Sequence, residues 1–281
     1  FGDNKYMSIP NSSELRPESE LTVEAWIKPA DYEDYEGFFD QAVYSASLKR
    51  GFGWVYFGSG WHFVIGQISQ PVNDFPVVAT QTNEWSHIAA TYNGSKIYVY
   101  RNGSVVDSAL APTPGGLNYA NLGDPVMVGK FNRNGTDRYF NGKIDEVRVW
   151  DTARTKVEIQ GFMGIPLSGN EPNLVGYWKI DEGSGTTVND ESPSGNDGQI
   201  NGGEDWKRDS KIDSIIAVYS PSIAGSFIQL TAKKGADEMA DIGDLIEIEE
   251  ADGILGKKVA TANAASFEST PGLVNTDTIT I

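Results

Sequence analysis

Two Asn-Gly pairs between short alternating segments constrain the fold of this chain more than any other feature. Residues 86–92, 96–100 and 105–106 are β-like segments, and Asn93-Gly94 and Asn102-Gly103 separate them. Asn-Gly pairs accept the positive φ angles of two-residue hairpin turns, and alternation with a period of two indicates strands with one buried face. The sequence therefore predicts an antiparallel meander and a chain built around β-sheets.

Further strands are predicted along the first 200 residues, at residues 6–9, 21–27, 53–57, 61–66, 126–128 and 143–150. Gly58-Ser59-Gly60 predicts a hairpin between two of them, and Asn141-Gly142 predicts a tight turn before the last. One helix is predicted at residues 155–162, with Asp151 or Thr152 as its N-cap. The 31 Gly, 7 Trp, 12 Tyr and 12 Phe fit many short strands and turns.

Three segments carry a family resemblance: LTVEAWIKP at residues 21–29, EWSHIAATY at 84–92 and NGKIDEVRVW at 141–150. Together they resemble the laminin G-like and pentraxin-like branch of the concanavalin A-type jelly rolls. The resemblance implies an all-β sandwich of two antiparallel sheets with one short helix. On such a scaffold, function lies in the loops or on one sheet face.

A second run, GYW-K-I-DEGSGT at residues 176–186, resembles laminin G-like modules of bacterial surface proteins. In many of those modules this run precedes the strand that here follows Phe1. In this chain it closes the domain, which indicates a permuted order or a piece of a tandem array. The whole resemblance covers about residues 1–208.

The composition changes beyond Lys211, where tryptophan disappears and acidic residues accumulate. We therefore predict a jelly roll over residues 1–210 and a small β-rich C-terminal extension or partial domain over residues 211–281. Strands are expected there at 214–219, 226–232, 244–248 and 276–281. Because this tail has few large apolar side chains, we expect it to pair with a sheet edge of its own jelly roll or of a neighbouring subunit.

Charge and composition exclude several classes of partner. A net charge of −17 argues against nucleic acid, since phosphate binding needs clustered Lys and Arg. The absence of cysteine removes disulfides and thiolate zinc sites. No apolar run reaches the roughly 18 residues of a membrane span, so no membrane insertion is expected. The resemblance implies a secreted or cell-surface protein.

The same scaffold also carries glucanases, which use two carboxylates about 5 Å apart on one side of a cleft. The segment 54–65, where such a pair would lie, contains no acidic residue. Only two histidines exist: His87 is expected to be a packed core residue, and His62 a structural one. The sequence therefore predicts a protein that is not an enzyme.

Calcium is the cofactor that the resemblance implies. In the related jelly rolls, the Asp of the x-I-D-x-V-R-V motif often binds a structural calcium ion, and here that residue is Asp145. Oxygen ligands from other loops complete such sites. The candidates are Asp3, Asp190 and Asp197. Alternatively, Asp145 caps a turn and the other acids are solvated. Residues 130–134 lack the acids of the pentraxin two-calcium site, so no phosphocholine-type site is expected.

Glycan recognition combines an aromatic platform with amide and carboxylate hydrogen bonds. The residues predicted to supply them are Tyr32, Tyr35, Trp61, Tyr119, Asn132 and Arg133. Trp54 and Trp61 can equally belong to the core between the sheets. The sequons at Asn11, Asn93, Asn102 and Asn134 matter only if the source glycosylates asparagine.

These patterns together favour an extracellular binding module, a calcium-stabilised lectin or adhesin whose partner is a carbohydrate or a cell-surface glycoprotein. The alternative is a structural subunit of an extracellular filament, sheath or particle shell. In that case the C-terminal strands would mediate self-assembly by adding to a neighbour's sheet.

Overall fold

The computed structural model describes residues 1, 4–41, 43–45, 48–66, 75–111, 116–120, 122–133 and 135–203, together with the backbone of six strands between residues 214 and 268. The chain divides into two compact units. One comprises Phe1–Gly161 and Leu167–Trp206, and the other Phe162–Pro166 and Lys207–Ile281. Within the described residues, no helix has the length and apolar character needed to cross a membrane.

Among the described residues, the first unit contains eighteen strands and one helix, whose last residue, Phe162, belongs to the second unit. In chain order they are β1 (Tyr6–Ile9), β2 (Leu21–Pro29), β3 (Phe39–Asp40), β4 (Val43–Ser45), β5 (Leu48–Arg50), β6 (Phe52–Phe57), β7 (Gly60–Ile65), β8 (Val77–Val78), β9 (Ser86–Tyr92), β10 (Lys96–Arg101), β11 (Ser104–Leu110), β12 (Val126–Val128), β13 (Lys130–Arg133), β14 (Thr136–Tyr139), β15 (Gly142–Trp150), α1 (Lys156–Phe162), β16 (Leu174–Trp178), β17 (Thr187–Val188) and β18 (Gly198–Asn201). The predicted all-β class with a single short helix is confirmed.

Two large antiparallel sheets form the sandwich. One has eight strands in the order β17-β18-β1-β12-β3-β6-β7-β8, and the other has six in the order β11-β10-β9-β2-β15-β16. The strands that carry the resemblance, β2, β9 and β15, lie side by side in the second sheet. The late strand β18 pairs with the first strand β1, with Tyr6 opposite Asn201, so the GYW region completes the same domain.

The core lies between these sheets and is rich in aromatic side chains. Trp54, Trp61 and Trp178 are fully buried in it, as are aliphatic side chains from alternate positions of the strands. In β2 the residues that face this core are Leu21, Val23, Ala25 and Ile27. The intervening residues of β2 therefore point to the opposite face of the six-stranded sheet.

Helix α1 covers part of that opposite face. Ile159 is fully buried against Ala89 and Tyr100, whereas Val157 is 76% exposed. The predicted N-cap was wrong: the residue that caps the helix is Thr155, rather than Asp151 or Thr152. The Glu158 amide donates to Thr155 Oγ1 at 3.3 Å, and the Thr155 amide donates to Glu158 Oε2 at 2.7 Å. This reciprocal pair is a capping box.

The predicted meander is confirmed, and a second predicted turn is not. Asn102 and Gly103 both have positive φ angles, 48° and 73°, at the turn between β10 and β11. Asn141-Gly142 instead connects β14 to β15, and these two strands do not pair with each other: β14 pairs with β13, and β15 pairs with β2 and β16. Gly142 is the first residue of β15, where a Cβ atom would lie 2.3 Å from the Lys28 carbonyl oxygen. Glycine is needed there for a close backbone approach rather than for a hairpin.

The second unit contains β19 (Ser214–Ser222), β20 (Gly225–Lys234), β21 (Glu238–Met239), β22 (Leu245–Glu250), β23 (Gly253–Val259) and β24 (Ala265–Glu268). β19, β20, β21 and β24 form one sheet, and β22 and β23 form a hairpin. Strands are therefore present at three of the four positions predicted for the tail. The fourth, at residues 276–281, lies outside the described residues.

Candidate functional site

A group of tyrosines and polar residues lies on the outer face of the eight-stranded sheet. Met7 and Ile9 of β1 are fully buried in the core, so Tyr6 and Ser8 point outward. The hairpin formed by β13 and β14 brings further side chains beside Tyr6. We call this group the hairpin cluster; its members are Tyr6, Lys130, Asn132, Asp137 and Tyr139.

Short polar and ring contacts organise the hairpin cluster. Lys130 Nζ lies 4.5 Å from the centre of the Tyr6 ring and 2.8 Å from Asp137 Oδ2. Asn132 Nδ2 donates to Asp137 Oδ1 at 2.6 Å, and the rings of Tyr6 and Tyr139 are 6.1 Å apart. Partial burial alone would raise the pKa of Asp137, but Lys130 and Asn132 outweigh it and hold that pKa below its ordinary value.

A row of outward polar side chains continues from this cluster across β1 and β18. Asn201 lies opposite Tyr6 in the sheet, and its Nδ2 donates to Ser8 Oγ at 2.9 Å. Gln199, opposite Ser8, is exposed. Partly exposed rings beside amide and carboxylate groups provide both components of sugar recognition, a surface for C–H stacking and directional hydrogen bonds.

The predicted glycan residues are divided among several places, and only Asn132 belongs to the hairpin cluster. Tyr32 and Tyr35 lie together in the loop after β2. The Tyr32 ring stacks on Tyr56 at 4.5 Å, and the Tyr35 ring lies 6.1 Å from Phe57. One face of the Tyr32 ring and one face of the Tyr35 ring are therefore used in packing within the protein.

Two of the predicted platform residues do not present a free ring. Trp61 is fully buried in the core and its Nε1 donates to Thr80 Oγ1 at 3.1 Å, so its assignment to a glycan surface was wrong. Tyr119 packs edge-on against Phe52 and donates its hydroxyl to the Pro17 carbonyl at 2.9 Å. Burial raises the pKa of Tyr119. The backbone of Arg133 lies in β13, opposite Thr136.

Sequence reasoning overlooked Tyr6 and Tyr139, and only Tyr6 could have been found from the sequence. Tyr6 opens a strand in which the next apolar residues are Met7 and Ile9, and this pattern places Tyr6 on the outer face. Tyr139 follows Asn132 by seven residues across a turn, but the hairpin between them could not be recognised from its polar sequence. The long-range pairing of β1 with β18 places the polar row of Ser8, Gln199 and Asn201 next to Tyr6.

The three described aspartates of the predicted calcium site do not form a metal-binding group in the structure. Asp190 accepts hydrogen bonds from the amides of Tyr177, Ser192 and Asn196. Asp197 Oδ1 accepts from the Asp190 amide at 2.9 Å, and Asp145 Oδ1 accepts from the Glu146 amide at 2.9 Å. Asp190 and Asp197 thus stabilise the loops around β16.

Asp3 lies outside the described residues. Where side chains are described, no three His, Cys, Asp or Glu side chains are arranged so that they could hold a metal ion. Calcium binding by the aspartate of the β15 motif therefore stays a prediction.

A group of buried charges that the sequence did not reveal lies beneath α1, on the outer side of the six-stranded sheet. Glu24, Arg148 and Glu146 are nearly inaccessible to solvent. Trp150 Nε1 donates to Glu24 Oε1 at 2.9 Å, and His87 Nε2 lies 3.4 Å from Glu24 Oε2. Arg148 donates to Glu146 Oε2. We call Glu24, His87, Glu146, Arg148 and Arg154 the buried charge network.

The network controls the pKa of Glu24. Burial alone would raise that pKa, but His87 and the guanidinium groups of Arg148 and Arg154 outweigh burial and lower it to about 2 from an ordinary 4.5. The expected core position of His87 agrees with its 1% exposure. Since the group is enclosed, it acts on stability rather than on a substrate.

The acidic loop after β2 contains one further unusual residue. Glu36 is fully buried, and its carboxylate oxygens make no hydrogen bond of ordinary length and angle. Burial raises the pKa of Glu36 to about 8, and the charges of Asp31 and Glu33 act in the same direction. Hydrogen bonding from the backbone amides of Glu33 and Asn141 lowers the pKa of Glu36 and so partly opposes this rise.

Comparison with protein families gives one match that covers more than half of the chain. Residues 1–160 match the model of the concanavalin A-like lectin/glucanases superfamily (Laminin_G_3). This match confirms the resemblance drawn from β2, β9 and β15. Among curated proteins, no sequence matches the chain.

Several solved structures are similar to this chain. A protein from Bacteroides ovatus described as carbohydrate-binding has 22% identity and a TM-score of 0.52, over 71% of this chain and 56% of its own. Domain 4 of an extracellular arabinanase from Geobacillus stearothermophilus, in complex with arabinotriose, has 18% identity and a TM-score of 0.42, over 55% of this chain and 70% of its own. A SAP-like pentraxin from Limulus polyphemus has 16% identity and a TM-score of 0.38, over 56% of this chain and 80% of its own.

At 22% identity, the similarity to the Bacteroides protein shows the fold alone. This chain spans little more than half of the Bacteroides protein.

Proposed function

Because the chain belongs to the concanavalin A-like lectin/glucanases superfamily, we propose that it is an extracellular glycan-binding module, a lectin or adhesin without enzymatic activity. The observation that carries this proposal is the hairpin cluster. Tyr6 and Tyr139 are partly exposed, and Asn132, Asp137 and Lys130 surround them with donors and acceptors. This is the combination that a sugar ring requires.

The row of Ser8, Gln199 and Asn201 supports an extended ligand rather than a single sugar. These side chains lie on the same outer face as Tyr6 and continue along β1 and β18. An oligosaccharide that stacks on the tyrosines can therefore make further hydrogen bonds along the sheet. The carbohydrate-binding description of the Bacteroides protein agrees with this class of ligand.

The absence of catalysis is part of the same proposal. A glycosidase of this scaffold needs two carboxylates on one side of a cleft, about 5 Å apart in the retaining mechanism. β6 and β7 carry no acidic residue, and neighbouring β3 contributes only Asp40 to that sheet. Asp137, the acid of the hairpin cluster, is paired with Lys130 and has a lowered pKa, which is unsuitable for a general acid at neutral pH.

A screen of soluble plant and microbial polysaccharides tests this function. Retardation of the protein in native gels that contain each polysaccharide reports binding, and reducing-end release in the same samples reports cleavage. The proposal expects retardation by at least one polysaccharide without release of reducing ends. Cleavage that disappears on mutation of one carboxylate would contradict the non-enzymatic assignment, and failure of every polysaccharide would contradict glycan binding.

Calcium stabilisation is also proposed, in line with the acidity of the chain. A net charge of −17 favours cation binding, and a ligand that binds only the folded state raises the melting temperature by mass action.

A structural role in an assembly is the second candidate, and one observation favours it. β11 is an edge strand of the six-stranded sheet, and its Val105, Val106 and Leu110 are 45%, 48% and 76% exposed. An edge strand with exposed apolar residues is suited to pairing with a strand of another chain. The C-terminal strands of a second copy are the proposed partners.

A further inference from the structure

The loop that links β2 to β3 ends on a carboxyl group that is sealed from solvent. Glu36 has 0% exposure, and its carboxylate oxygens make no hydrogen bond of ordinary length and angle. No Lys, Arg or His side chain of the described residues forms an ion pair with it. An ionised carboxylate in this place lacks the compensation that a buried charge needs, so the neutral, protonated form is favoured.

The ionisable groups around Glu36 also favour its protonated form. Burial is the largest cause, and the negative charges of Asp31 and Glu33 add to it, so the pKa of Glu36 rises to about 8. On the other side are two phenol groups, of Tyr32 in the loop and Tyr56 on β6. Burial raises the pKa of both tyrosines, and the charge of Glu36 acts in the same direction. Neither neighbour therefore supplies a positive charge to an ionised Glu36.

The residue before Glu36 has a strained backbone. Tyr35 has a φ angle of 71°, in the left-handed region that is unfavourable for a bulky side chain. Such a conformation persists only where the surrounding structure imposes it. Two hydrogen bonds to β6 do so here: the Tyr35 amide donates to the Tyr56 carbonyl at 2.6 Å, and the Tyr56 amide donates to the Glu36 carbonyl at 2.8 Å. The loop is thus held on β6 against its own backbone preference.

Side-chain contacts close the loop over its buried end. The Tyr32 ring stacks on Tyr56 at 4.5 Å, and the Tyr32 hydroxyl lies 3.0 Å from Thr80 Oγ1. Asp34 Oδ1 accepts a hydrogen bond from the Gly58 amide at 3.0 Å. These contacts lie at the surface, where water can replace them. Water reaches the buried carboxyl group only if they separate.

We propose that the 31–36 loop is a pH-sensitive latch, closed while Glu36 carries a proton and released when that proton is lost. Loss of the proton leaves a charge that only water can compensate, so the loop moves outward to hydrate it and Tyr35 leaves its strained conformation. Opening separates Tyr32 from Tyr56 and exposes the ring faces that are stacked in the closed loop. The latch depends neither on glycan binding nor on calcium stabilisation.

The latch makes stability depend on pH in a defined direction. The pKa of Glu36 is about 8 in the folded protein and 4.5 ordinarily, so the folded protein keeps a proton that the unfolded chain has released. The stabilisation that this proton provides is complete below pH 4.5 and is lost as the pH rises through about 8. Within this window, each pH unit should raise the unfolding constant of the wild type about tenfold relative to Glu36→Gln, which cannot ionise.

Urea denaturation of the full chain from about pH 5 to about pH 9 measures this ratio. The wild type and Glu36→Gln should diverge as the pH rises and keep a constant ratio above about pH 8. Glu33→Gln, at an exposed position of the same loop, is the matched control and should follow the wild type. A general effect of removing one negative charge would instead change both variants alike.

Hydrogen exchange reports the opening of the loop itself. The amides to follow are those of Tyr35 and Tyr56, since their hydrogen bonds attach the loop to β6. At about pH 6 they should exchange at similar rates in the wild type and in Glu36→Gln. At about pH 9 they should exchange at least about tenfold faster in the wild type than in Glu36→Gln.

A measurement on the wild type alone keeps the test decisive if Glu36→Gln does not fold. A protonated carboxyl group has an infrared C=O band distinct from that of a carboxylate, and this band should be lost as the pH passes about 8. The proposal would be overturned by a constant ratio of unfolding constants between about pH 5 and about pH 8. Equal exchange of the two amides in both proteins at about pH 9, or the absence of the protonated band at neutral pH, would overturn it as well.

Discussion

At the scale of single residues, the buried charge network links the strands that carry the family resemblance. Glu24 lies on the middle strand of three that carry the family resemblance, and it contacts Trp150, His87 and the two arginines of the buried charge network. A buried charge is tolerated only while its partners remain. The network therefore ties β2, β9 and β15 to the segment that leads into α1.

Removal of one charge tests this interpretation. Glu24→Gln should lower the free energy of unfolding by about 3 kcal/mol at neutral pH, because it leaves the arginines without their shared carboxylate. Urea denaturation measures the change. Glu18→Gln, at an exposed position, is the matched control and should change stability by less than about 0.5 kcal/mol.

The difference in stability between the wild type and Glu24→Gln should depend on pH. The pKa of Glu24 is about 2 in the folded protein and 4.5 ordinarily, so its stabilising contribution is complete above pH 4.5 and is lost as the pH falls towards 2. The stability gap between wild type and Glu24→Gln should narrow over this window. A gap that stays constant down to about pH 2.5 would show that Glu24 is not held ionised by the network.

Residue roles were harder to predict than strands, and Trp61 shows why. In β7 both faces are largely buried, with only His62 partly exposed, so no alternation of apolar and polar residues reveals which way Trp61 points. The same limit applies to the charge network, since Glu24 and Arg148 occupy positions that normally indicate a solvated face. Only the cover that α1 and its flanking segments provide makes these positions interior.

At the scale of elements, local turn chemistry explains what the sequence predicted well and where it failed. The strands β1, β9 and β12 have the predicted bounds because period-two patterns and turn residues agree there. Asn141-Gly142 has the composition of a hairpin turn, yet β15 pairs with β2 and β16 rather than with the preceding strand. A local signal cannot distinguish a turn from a glycine that a distant strand requires.

The capping box of α1 provides a test at this scale. Thr155→Ala removes the acceptor for the Glu158 amide and should lower the free energy of unfolding by about 1 kcal/mol. Thr155→Ser retains the hydroxyl and should stay close to the wild type in chemical denaturation. Equal stability of all three proteins would mean that the helix terminus does not contribute to the cooperative fold.

For the whole molecule, we propose that the first unit binds glycan and that the second unit mediates self-association. The first unit holds both large sheets and the hairpin cluster, and the second unit contains its own short strands. Strand edges that are not paired within a unit are available to other chains. If the tail mediates the proposed self-association, its deletion should remove that association and leave the jelly roll folded.

Truncation after residue 210 should leave a folded first domain that no longer self-associates. Light scattering coupled to size-exclusion chromatography measures the mass, and thermal unfolding confirms the fold. In the full chain, Leu110→Lys on the exposed edge β11 should also weaken association, whereas Val157→Lys, equally exposed on α1, should not. Association that survives truncation, or a tail that folds alone as a soluble cooperative domain, would contradict this account.

The most direct test of glycan binding compares two partly exposed tyrosines that each have a lysine near the ring but lie on different sheets. Tyr139 belongs to the hairpin cluster, while Tyr98 on β10 also has a lysine, Lys96, over its ring at 4.6 Å. Calorimetric titration uses the polysaccharide that retards the wild type most strongly. The account predicts that Tyr139→Ala weakens binding at least about tenfold and that Tyr98→Ala leaves it unchanged. Equal affinities of Tyr139→Ala and the wild type would contradict a glycan site at the hairpin cluster.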